Sequence, residues 1–434
     1  MAELTPAQLL QTLIRFDTTN PPGDEAECVR WIDGLLKDAG FETRLLALTP
    51  SRPNLVTRLA GRGEAPPLLV HGHVDVVPTA GQSWAHPPFS GDAVDGEIWG
   101  RGALDMKGGV TMLLSALLRL KREGVRPPGD VILAVLSDEE AGSDFGARFL
   151  AERHAELFEG VVYAIGEGGG PSTEIEGRRV YQIAVDEKRV CWMRATLRGP
   201  GGHGSSPIFG GAMADLKRLL QLHGRWLPVH VTPAVRRFVE ALADGLGEPV
   251  APRLRRALAP EQTDRALEDL GDLRRPLGAL LHNTVSVTTL RAGDKVNVIP
   301  SEIQVGLDGR LLPGFTADDM LAEIRAVVGD GIDIAVERTE PPGREEPDMR
   351  GFETLASIVR ELDPDGLPVP GLVAGFTDVR QFAKLGIQGY GFLPMRLPAG
   401  FKSAPLVHAA DERVPVESLE WGVEAITRLL RRFP

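Results

Sequence analysis

The chain has 434 residues and a net charge of −12, with 43% hydrophobic and 25% charged residues. This length is too great for one ordinary hydrophobic core, so we expect two domains. The composition excludes a disordered or fibrous protein, and the acidic balance without a basic patch argues against a nucleic-acid partner.

The cysteine content and the N-terminal sequence bear on the compartment. Cys28 and Cys191 are the only cysteines, too few for a disulfide framework, which favours a reduced, intracellular setting. The first residues lack the basic segment and apolar stretch of a signal peptide. No apolar run reaches membrane-spanning length. We therefore expect a cytoplasmic protein that does not bind membranes.

The first part of the chain alternates helical patterns with short apolar runs. Apolar residues recur at helical spacing from Pro6 to Arg15, and Asp24 is expected to cap a second helix that ends near Ala39. Apolar runs bounded by turn residues follow at 68–70, 131–136 and 161–165. This alternation predicts buried parallel strands in βαβ units, whose ligand sites lie beyond the carboxyl ends of the strands.

The pattern changes after residue 187. Residues 189–198, 283–290 and 302–311 alternate polar and apolar positions, and 213–280 is charged and helix-prone. Short apolar strands return beyond 341, as at 387–393. We therefore predict an α/β domain with a mainly parallel sheet flanked by helices, built from 1–187 and 341–434. An α+β domain at 188–340 is inserted into it.

The segment His71-Gly72-His73-Val74-Asp75 directly follows an apolar strand. In extended chain, side chains two positions apart point the same way, so His73 and Asp75 can lie together. A carboxylate beside a metal-binding imidazole fixes its tautomer and raises its basicity. Two surface histidines in a loop would give the same pattern, so this segment alone leaves both interpretations open.

Asp105 lies among four glycines, in Gly100-Arg101-Gly102-Ala103-Leu104-Asp105-Met106-Lys107-Gly108-Gly109, just before a predicted helix. An ordinary turn or a helix cap would explain one aspartate. The glycines indicate a backbone bent tightly around a ligand. A phosphate-binding loop is the rival interpretation, but its Lys-Ser/Thr ending is missing.

Three further strand ends carry acids or a histidine. Asp138-Glu139-Glu140 follows the strand at 131–136, and Glu167 follows the run at 161–165. The third case is the segment 406–412, which contains His408. Adjacent carboxylates are costly unless they are solvated, protonated or bound to a cation, although a surface turn would solvate them. Together, two histidines, one bridging aspartate and two glutamates would suffice for two zinc ions, with one glutamate left as a general base.

At these residues the chain resembles the dinuclear zinc exopeptidases and deacylases. This family includes glutamate carboxypeptidase, carboxypeptidase S, aminoacylase, acetylornithine deacetylase and succinyl-diaminopimelate desuccinylase. The resemblance covers nearly the whole chain in motif order. It is carried by His73-Val74-Asp75-Val76-Val77-Pro78, by 100–109, by Asp138-Glu139-Glu140, by Gly202-His203-Gly204-Ser205-Ser206-Pro207 and by Asn297-Val298-Ile299-Pro300.

The resemblance implies a role for each matching residue. Asp105 bridges two metal ions; His73 and Glu167 complete one site, and Glu140 and His408 complete the other. Glu139 is the general base, and Asp75 orients His73. The insert is implied to be a lid that forms a homodimer, with His203 reaching the partner's active site. Substrate contacts are implied for Asn297, for Arg310, which would grip a carboxylate, and for Thr377 in the loop 375–380.

The resemblance also implies the reaction. We expect a metal-dependent amidohydrolase that hydrolyses an amide bond next to a free carboxylate, through a metal-bridging water and Glu139. Two Zn²⁺ are the expected cofactors, and the same ligands also accept Co²⁺ or Mn²⁺. A metallocarboxypeptidase acting on short peptides is preferred over an N-acyl-amino-acid deacylase. A non-catalytic binding protein is the remote alternative, because every ligand position and the base are filled.

Overall fold

The computed structural model describes residues 4–341 and 346–433. Eighteen strands are assigned within these residues. They are β1 Thr43–Ala47, β2 Pro53–Leu59, β3 Leu68–His73, β4 Asp92–Val94, β5 Glu97–Trp99, β6 Val131–Leu136, β7 Tyr163–Gly166, β8 Ser172–Ile175, β9 Arg178–Glu187, β10 Arg189–Arg198, β11 Gly202–His203, β12 Thr284–Ala292, β13 Val298–Ile299, β14 Glu302–Leu311, β15 Asp333–Thr339, β16 Leu367–Val373, β17 Gln388–Gly391 and β18 Arg413–Pro415.

Thirteen α-helices are assigned within the same residues. They are α1 Pro6–Ile14, α2 Ala26–Asp38, α3 Lys107–Arg122, α4 Ala147–Arg153, α5 Gly211–Leu219, α6 Pro233–Leu246, α7 Ala251–Arg256, α8 Thr263–Glu268, α9 Arg274–Leu281, α10 Ala317–Val328, α11 Phe352–Leu362, α12 Val379–Ala383 and α13 Val416–Arg432. None of the helices in the described part of the chain is long and apolar enough to cross a membrane.

The described residues divide into two compact units. The first comprises Met1–Val185, Asp348–Pro370 and Thr377–Pro434, and the second comprises Asp186–Pro347 and Gly371–Phe376. The predicted α/β fold class with a mainly parallel core sheet is confirmed. The interpretation of the insert as a lid and dimerisation domain stays a prediction.

The first unit is built on a nine-stranded sheet in the order β1-β2-β6-β3-β7-β17-β9-β16, with β8 paired to β9. Its centre, from β6 through β3 and β7 to β17, is parallel. Every residue of β3 and of β6 is buried. Strands covered on both faces require such continuous apolar runs, which explains why the sequence shows no alternation here.

The helix α1 shows how local sequence sets an element of this unit. Thr5 and Gln8 form a capping box, in which the Thr5 side chain accepts from the Gln8 N–H and the Gln8 side chain accepts from the Thr5 N–H. Leu9, Leu10 and Leu13 are buried on one face of the helix. The apolar face of α1 thus enters the core that α3 and α13 also line.

The expectation that Asp24 caps α2 is wrong. The helix begins at Ala26, the residue before it is Glu25, and no side chain caps the helix. Asp24 is exposed, whereas the buried Glu25 carboxylate accepts two hydrogen bonds from Arg52, at 2.8 and 3.2 Å. Leaving a buried carboxylate without a charged partner costs more free energy than leaving a helix end without a side-chain cap, because water can satisfy the N–H groups of the helix end.

The second unit contains a four-stranded antiparallel sheet in the order β12-β14-β10-β15. In β14 the residues Ile303, Val305 and Leu307 are buried and alternate with half-buried positions, as expected for a sheet with one covered face. Helices α5 to α9 lie within residues 211–281, with loops and short 3₁₀ turns between them, so the predicted helix-prone stretch is mainly helical.

Candidate metal centre

Three parallel strands of the first unit end at one edge of its sheet. His73, the last residue of β3, pairs with Leu136, the last residue of β6. Val70 of β3 pairs with Ile165, one residue before the end of β7. Residues 138–140 and Glu167 therefore leave the sheet beside His73, at the edge where α/β proteins bind ligands.

The first cluster, which we call the His73 group, consists of His73, Asp105 and Glu167. The Nε2 atom of His73 lies 3.3 Å from Oδ1 of Asp105 and 3.6 Å from Oε2 of Glu167. His73 is fully buried, and Nε2 has no hydrogen-bond partner among the described residues. Its lone pair or proton therefore faces two carboxylates at once.

The second cluster, the His408 group, consists of Asp105, Glu140 and His408. The Nε2 atom of His408 lies 3.1 Å from Oδ2 of Asp105 and 3.2 Å from Oε2 of Glu140. Asp105 thus presents one carboxylate oxygen to each histidine. Half of the His408 side chain is exposed, whereas His73 is fully buried, so the His408 group contains the more exposed histidine.

The donor set fits two divalent cations. In each group one ligand atom from each residue lies within 4.8 Å of the others. Two ligand atoms bound tetrahedrally to zinc at about 2.0–2.1 Å are about 3.3 Å apart, close to the histidine–carboxylate distances in both groups. A single Nε2 proton can satisfy only one carboxylate, whereas one cation can bind all three residues.

The electrostatics of the cluster favour the same interpretation. Burial raises the pKa of Glu167 to about 7. The nearby carboxylates Asp105 and Glu140 raise the pKa of His408 to about 10. For Asp105, burial acts to raise the pKa, but the two histidines lower it below its usual range. Several acids packed together repel one another, and a bound cation relieves that repulsion.

Glu139 lies beside both groups without belonging to either. Its Oε2 atom is 4.0 Å from Nε2 of His73, and its Oε1 atom is 3.9 Å from a guanidinium nitrogen of Arg380. Burial raises the pKa of Glu139 well above its usual range, and the charge of Glu167 raises it further. Such a carboxylate, held next to ligand residues and shielded from solvent, can accept a proton from a water in the site.

Asp75 supports the centre in two ways. The Nδ1 atom of His73 is 2.9 Å from the main-chain oxygen of Asp75 and 3.5 Å from its carboxylate. Nδ1 therefore donates to the carbonyl, which leaves Nε2 as the ring nitrogen that would bind a metal ion. The Asp75 carboxylate accepts the N–H groups of Glu139 and Glu140, both at 3.1 Å. It therefore holds the segment that carries these two glutamates.

Sequence reasoning missed the residues that hold Asp75. Asn20 donates to the carboxylates of Asp75 at 2.8 Å and Asp138 at 3.0 Å, and Arg52 lies 3.0 Å from Asp138. All four side chains are buried. Asn20 lies in a break between two helices, 55 positions before Asp75. Only its place in a turn rich in proline was visible in the sequence, and that gives no sign of a contact with Asp75.

His71 lies outside both groups. Its ring is buried, with its centroid 5.2 Å from that of Phe382, and neither ring nitrogen has a hydrogen-bond partner among the described residues. Burial lowers its pKa to about 3. A Cβ atom at Gly166 would lie 2.4 Å from the His71 ring. Glycine is therefore required where β7 delivers Glu167.

The remaining predicted residues lie elsewhere. In the second unit, His203 is exposed and its Nδ1 atom is 2.7 Å from Oγ of Ser205. Asn297 is exposed, and its main-chain oxygen accepts the N–H of Gly204. In the first unit, Thr377 is buried at the start of α12, where its hydroxyl accepts the Val379 N–H. Buried in this way, the Thr377 side chain is engaged in local structure.

Arg310, on β14 of the second unit, already has partners. Two of its nitrogens donate to the Asp308 carboxylate, at 2.8 and 3.1 Å, and its guanidinium carbon lies 5.0 Å from the centroid of the Phe376 ring. Asp308 also accepts from the indole of Trp192 at 3.0 Å. An incoming carboxylate would therefore compete with Asp308 for the guanidinium.

Comparison with known proteins identifies relatives of this chain. A model of peptidase family M20/M25/M40 matches residues 69–432. The probable carboxypeptidase S-like 2 of Dictyostelium discoideum is 26% identical, with 84% of this chain and 71% of that protein covered. The succinyl-diaminopimelate desuccinylase of Paracoccus denitrificans is 29% identical, with 99% and 98% covered. An M20 family metallo-carboxypeptidase from Sulfolobus solfataricus shares the fold over both whole chains, with a TM-score of 0.73 at 18% identity.

Proposed function

The chain belongs to peptidase family M20/M25/M40 and is a metallopeptidase or amidohydrolase, and from this premise we propose that it hydrolyses an amide bond next to a free carboxylate. The preferred activity is that of a carboxypeptidase on short peptides. The observation that carries the hydrolytic part is the pair of groups that share Asp105, with Glu139 beside them. Paired cations bridged by one carboxylate are a known hydrolytic arrangement.

The metal ions would be held by His73, Asp105 and Glu167 on one side and by Asp105, Glu140 and His408 on the other. We propose Zn²⁺, while the imidazole and carboxylate ligands also accept Co²⁺ or Mn²⁺. When bound, such ions supply Lewis acidity to the scissile carbonyl and lower the pKa of a water in the site.

The protein's own residues manage the proton and the orientation. Glu139 takes a proton from the attacking water and passes it to the leaving nitrogen. The Asp75 carboxylate fixes the position of Glu139, because it accepts a hydrogen bond from the Glu139 N–H. His203 and Asn297 are proposed to contact the substrate. Arg310 would pair with its free carboxylate, because a planar guanidinium binds a carboxylate through two hydrogen bonds.

A deacylase that acts on N-acyl amino acids is the second candidate. The specific observation in its favour is the match to the desuccinylase over nearly the full length of both proteins, against partial coverage of the carboxypeptidase S-like relative. Both activities use the same hydrolytic residues. They differ only in the pocket for the acyl or peptidyl side of the substrate.

A substrate panel separates the two candidates. The metal-replete protein is assayed with dipeptides that have free C-termini, with the same dipeptides amidated at the C-terminus, and with N-acetyl and N-succinyl amino acids. We expect turnover of free peptides and none of the amidated ones. Exclusive turnover of the acylated amino acids would replace the carboxypeptidase by the deacylase, and equal turnover of amidated peptides would remove the carboxylate requirement.

The role of Glu139 is tested by its replacement. Glu139→Ala should keep both metal ions, as measured by elemental analysis, and abolish turnover. Glu152→Gln, an exposed position on α4, is the control and should behave as the unaltered protein. An unchanged rate in Glu139→Ala contradicts the mechanism.

The proposal extends to assembly. We propose a homodimer formed through the second unit, in which the exposed His203 serves the site of the partner. Sedimentation analysis measures the mass, and mixing inactive Glu139→Ala with inactive His203→Ala protein should restore part of the activity. A monomer at assay concentration contradicts this part of the proposal and leaves the hydrolytic part standing.

A further inference from the structure

The carboxylate of Glu412 joins the two segments that carry Asp105 and His408. Glu412 is fully buried, and it lies four residues after His408. Its Oε1 atom accepts the N–H groups of Leu104 and Asp105, at 2.8 and 3.0 Å. Its Oε2 atom accepts the N–H of Gly102 at 3.1 Å and a guanidinium N–H of Arg101 at 2.6 Å.

Arg101 and Gln82 add further ties between the same two segments. Arg101 also donates to the main-chain oxygen of Ala409 at 3.1 Å and to the side-chain oxygen of Gln82 at 2.9 Å. Gln82 donates in turn to the main-chain oxygen of His408 at 2.9 Å. The chain around His408 is thus held from both sides, by Arg101 and by Gln82.

This arrangement is specific for a carboxylate. Every group that faces the Glu412 oxygens in these contacts is a donor, namely three main-chain N–H groups and one guanidinium. An amide side chain at this position would turn its NH₂ group towards at least one of those donors. Because a buried donor left without an acceptor is costly, the loop at 100–105 would have to rearrange.

We infer that Glu412 is a positioning residue that sets the separation of Asp105 and His408 in the His408 group. Two of the three members of this group, Asp105 and His408, lie on the segments that Glu412 joins, but in the His73 group only Asp105 does. Loss of the Glu412 carboxylate should therefore weaken the His408 group more than the His73 group. The consequence for metal binding rests on the proposed two-metal site, whereas the positioning itself does not.

The first experiment measures positioning without metal. Amide hydrogen exchange is followed in metal-free protein for the unaltered chain, for Glu412→Gln and for Glu417→Gln, a matched change at an exposed position of α13. In Glu412→Gln the segment 100–106 should exchange about tenfold faster or more, the scale expected when hydrogen bonds to a charged acceptor are lost. Unchanged exchange in this segment would overturn the inference.

The second experiment measures the asymmetry. Zinc binding is titrated by calorimetry, and the occupied positions are identified by anomalous diffraction from zinc-loaded crystals. Glu412→Gln should bind one ion with nearly unaltered affinity at the His73 group and the other about 10–100-fold more weakly at the His408 group, the usual cost of losing a residue that orients a ligand. Equal weakening at both groups, or none at either, would overturn the inference.

A milder variant keeps the test open if Glu412→Gln does not fold. Gln82→Ala leaves the buried carboxylate in place and removes two hydrogen bonds, the one that Gln82 donates to the His408 main chain and the one that it accepts from Arg101. The affinity of the His408 group for zinc should fall by a few-fold, with the exchange of 100–106 unchanged. An equal change in affinity at both groups, or no change at either, would again count against the inference. If the unaltered protein binds no metal, the proposed function fails, while the exchange experiment still decides the role of Glu412.

Discussion

The predicted site residues of the two units differ in their surroundings. In the first unit, buried polar atoms such as Nε2 of His73 and Oε1 of Glu140 have no hydrogen-bond partner among the described residues, and both residues belong to the groups that share Asp105. In the second unit, the side chain of Arg310 is paired with Asp308, and that of His203 is exposed and bonded to Ser205. The first unit presents a preformed set of candidate metal-ligand side chains. The side chains of the second unit would act only after a substrate or a partner binds.

The difference shows which side chains are held in place before any ligand binds. Strand ends, glycine turns and the contacts of Asp75 and Glu412 hold the first set before any ligand binds. Such preorganisation is what metal sites and hydrolytic sites require. In the second unit, the exposed His203 side chain can change its partner at low cost, as the proposed contact with a substrate would require. Four measurements test this difference between the units.

The largest effect is expected from Asp105→Asn, because Asp105 belongs to both groups. An amide binds cations weakly and would face one histidine with its NH₂ group. We expect both metal ions to be lost and kcat to fall by more than about a thousandfold, since metal catalysis contributes several kcal/mol. Elemental analysis and rate measurements check this, with Asp95→Asn at an exposed turn as control. Retention of two tightly bound ions would contradict the interpretation of Asp105 as a ligand shared by both groups of the first unit.

Metal removal should destabilise one unit and leave the other unchanged. A ligand that binds only the folded state stabilises it by about 2.7 kcal/mol at a hundred times its dissociation constant. Without metal, the carboxylates of the first unit also repel one another. Hydrogen exchange before and after chelation should show faster exchange in β3, β6 and β7 and unaltered exchange in β10 and β14. Equal loss of protection in both sheets would contradict the assignment of the metals to the first unit.

Asp75→Asn tests the support behind the ligands. The N–H groups of Glu139 and Glu140 donate to different oxygens of the carboxylate. The NH₂ group of the new amide would therefore face one of these two donors, and two donors cannot satisfy each other. We expect kcat to fall about 10–100-fold with KM nearly unchanged, the usual cost of losing such support. Steady-state kinetics measure both constants, again with Asp95→Asn for comparison. A change in KM alone would make Asp75 a substrate contact instead.

The smallest effect is expected in the second unit, from Arg310→Lys. Lysine keeps the charge and loses the planar pair of donors, so KM should rise about tenfold, the equivalent of one charge-assisted hydrogen bond. The matched variant Asp308→Asn removes the competitor for Arg310 and should lower KM or leave it unchanged. If Arg310→Lys lowers kcat with KM unaltered, Arg310 acts in the chemical step and the contrast between the units is weaker than proposed.

Much of the fold could be predicted because its periodicities are strong. The strands 131–136, 189–198 and 302–311 have the predicted bounds, since continuous burial and strict alternation each leave a clear pattern. Strand β7 begins at Tyr163 instead of Val161, and α2 is not capped by Asp24. Ends of elements depend on local competition for hydrogen bonds, as the pairing of Glu25 with Arg52 illustrates.

Part of the candidate site could also be predicted from the sequence, and part could not. The five predicted ligand residues all fall in the two groups. Four of them lie at a strand end or in a glycine-rich turn, which the sequence shows. The expectation that a strand precedes His408 is wrong, because residues 404–411 form turns and the next strand, β18, begins at Arg413. Their roles as ligands stay a proposal. Asn20, Arg52 and Glu412 act through partners that are distant in sequence, and neither periodicity nor local spacing reports such contacts.

The class of the fold, the family and the residue types that can bind metal could all be read from the sequence. Those properties depend on composition, on local periodicity and on motifs of a few residues. The folded chain was needed to show that Asp105 offers one oxygen to each histidine and that the main-chain oxygen of Asp75 is closer to His73 than its carboxylate is. The same holds for the hydrogen bonds by which Glu412 joins the segments of Asp105 and His408. Distances of about 3 Å between side chains hundreds of positions apart are set by the packing of the whole unit.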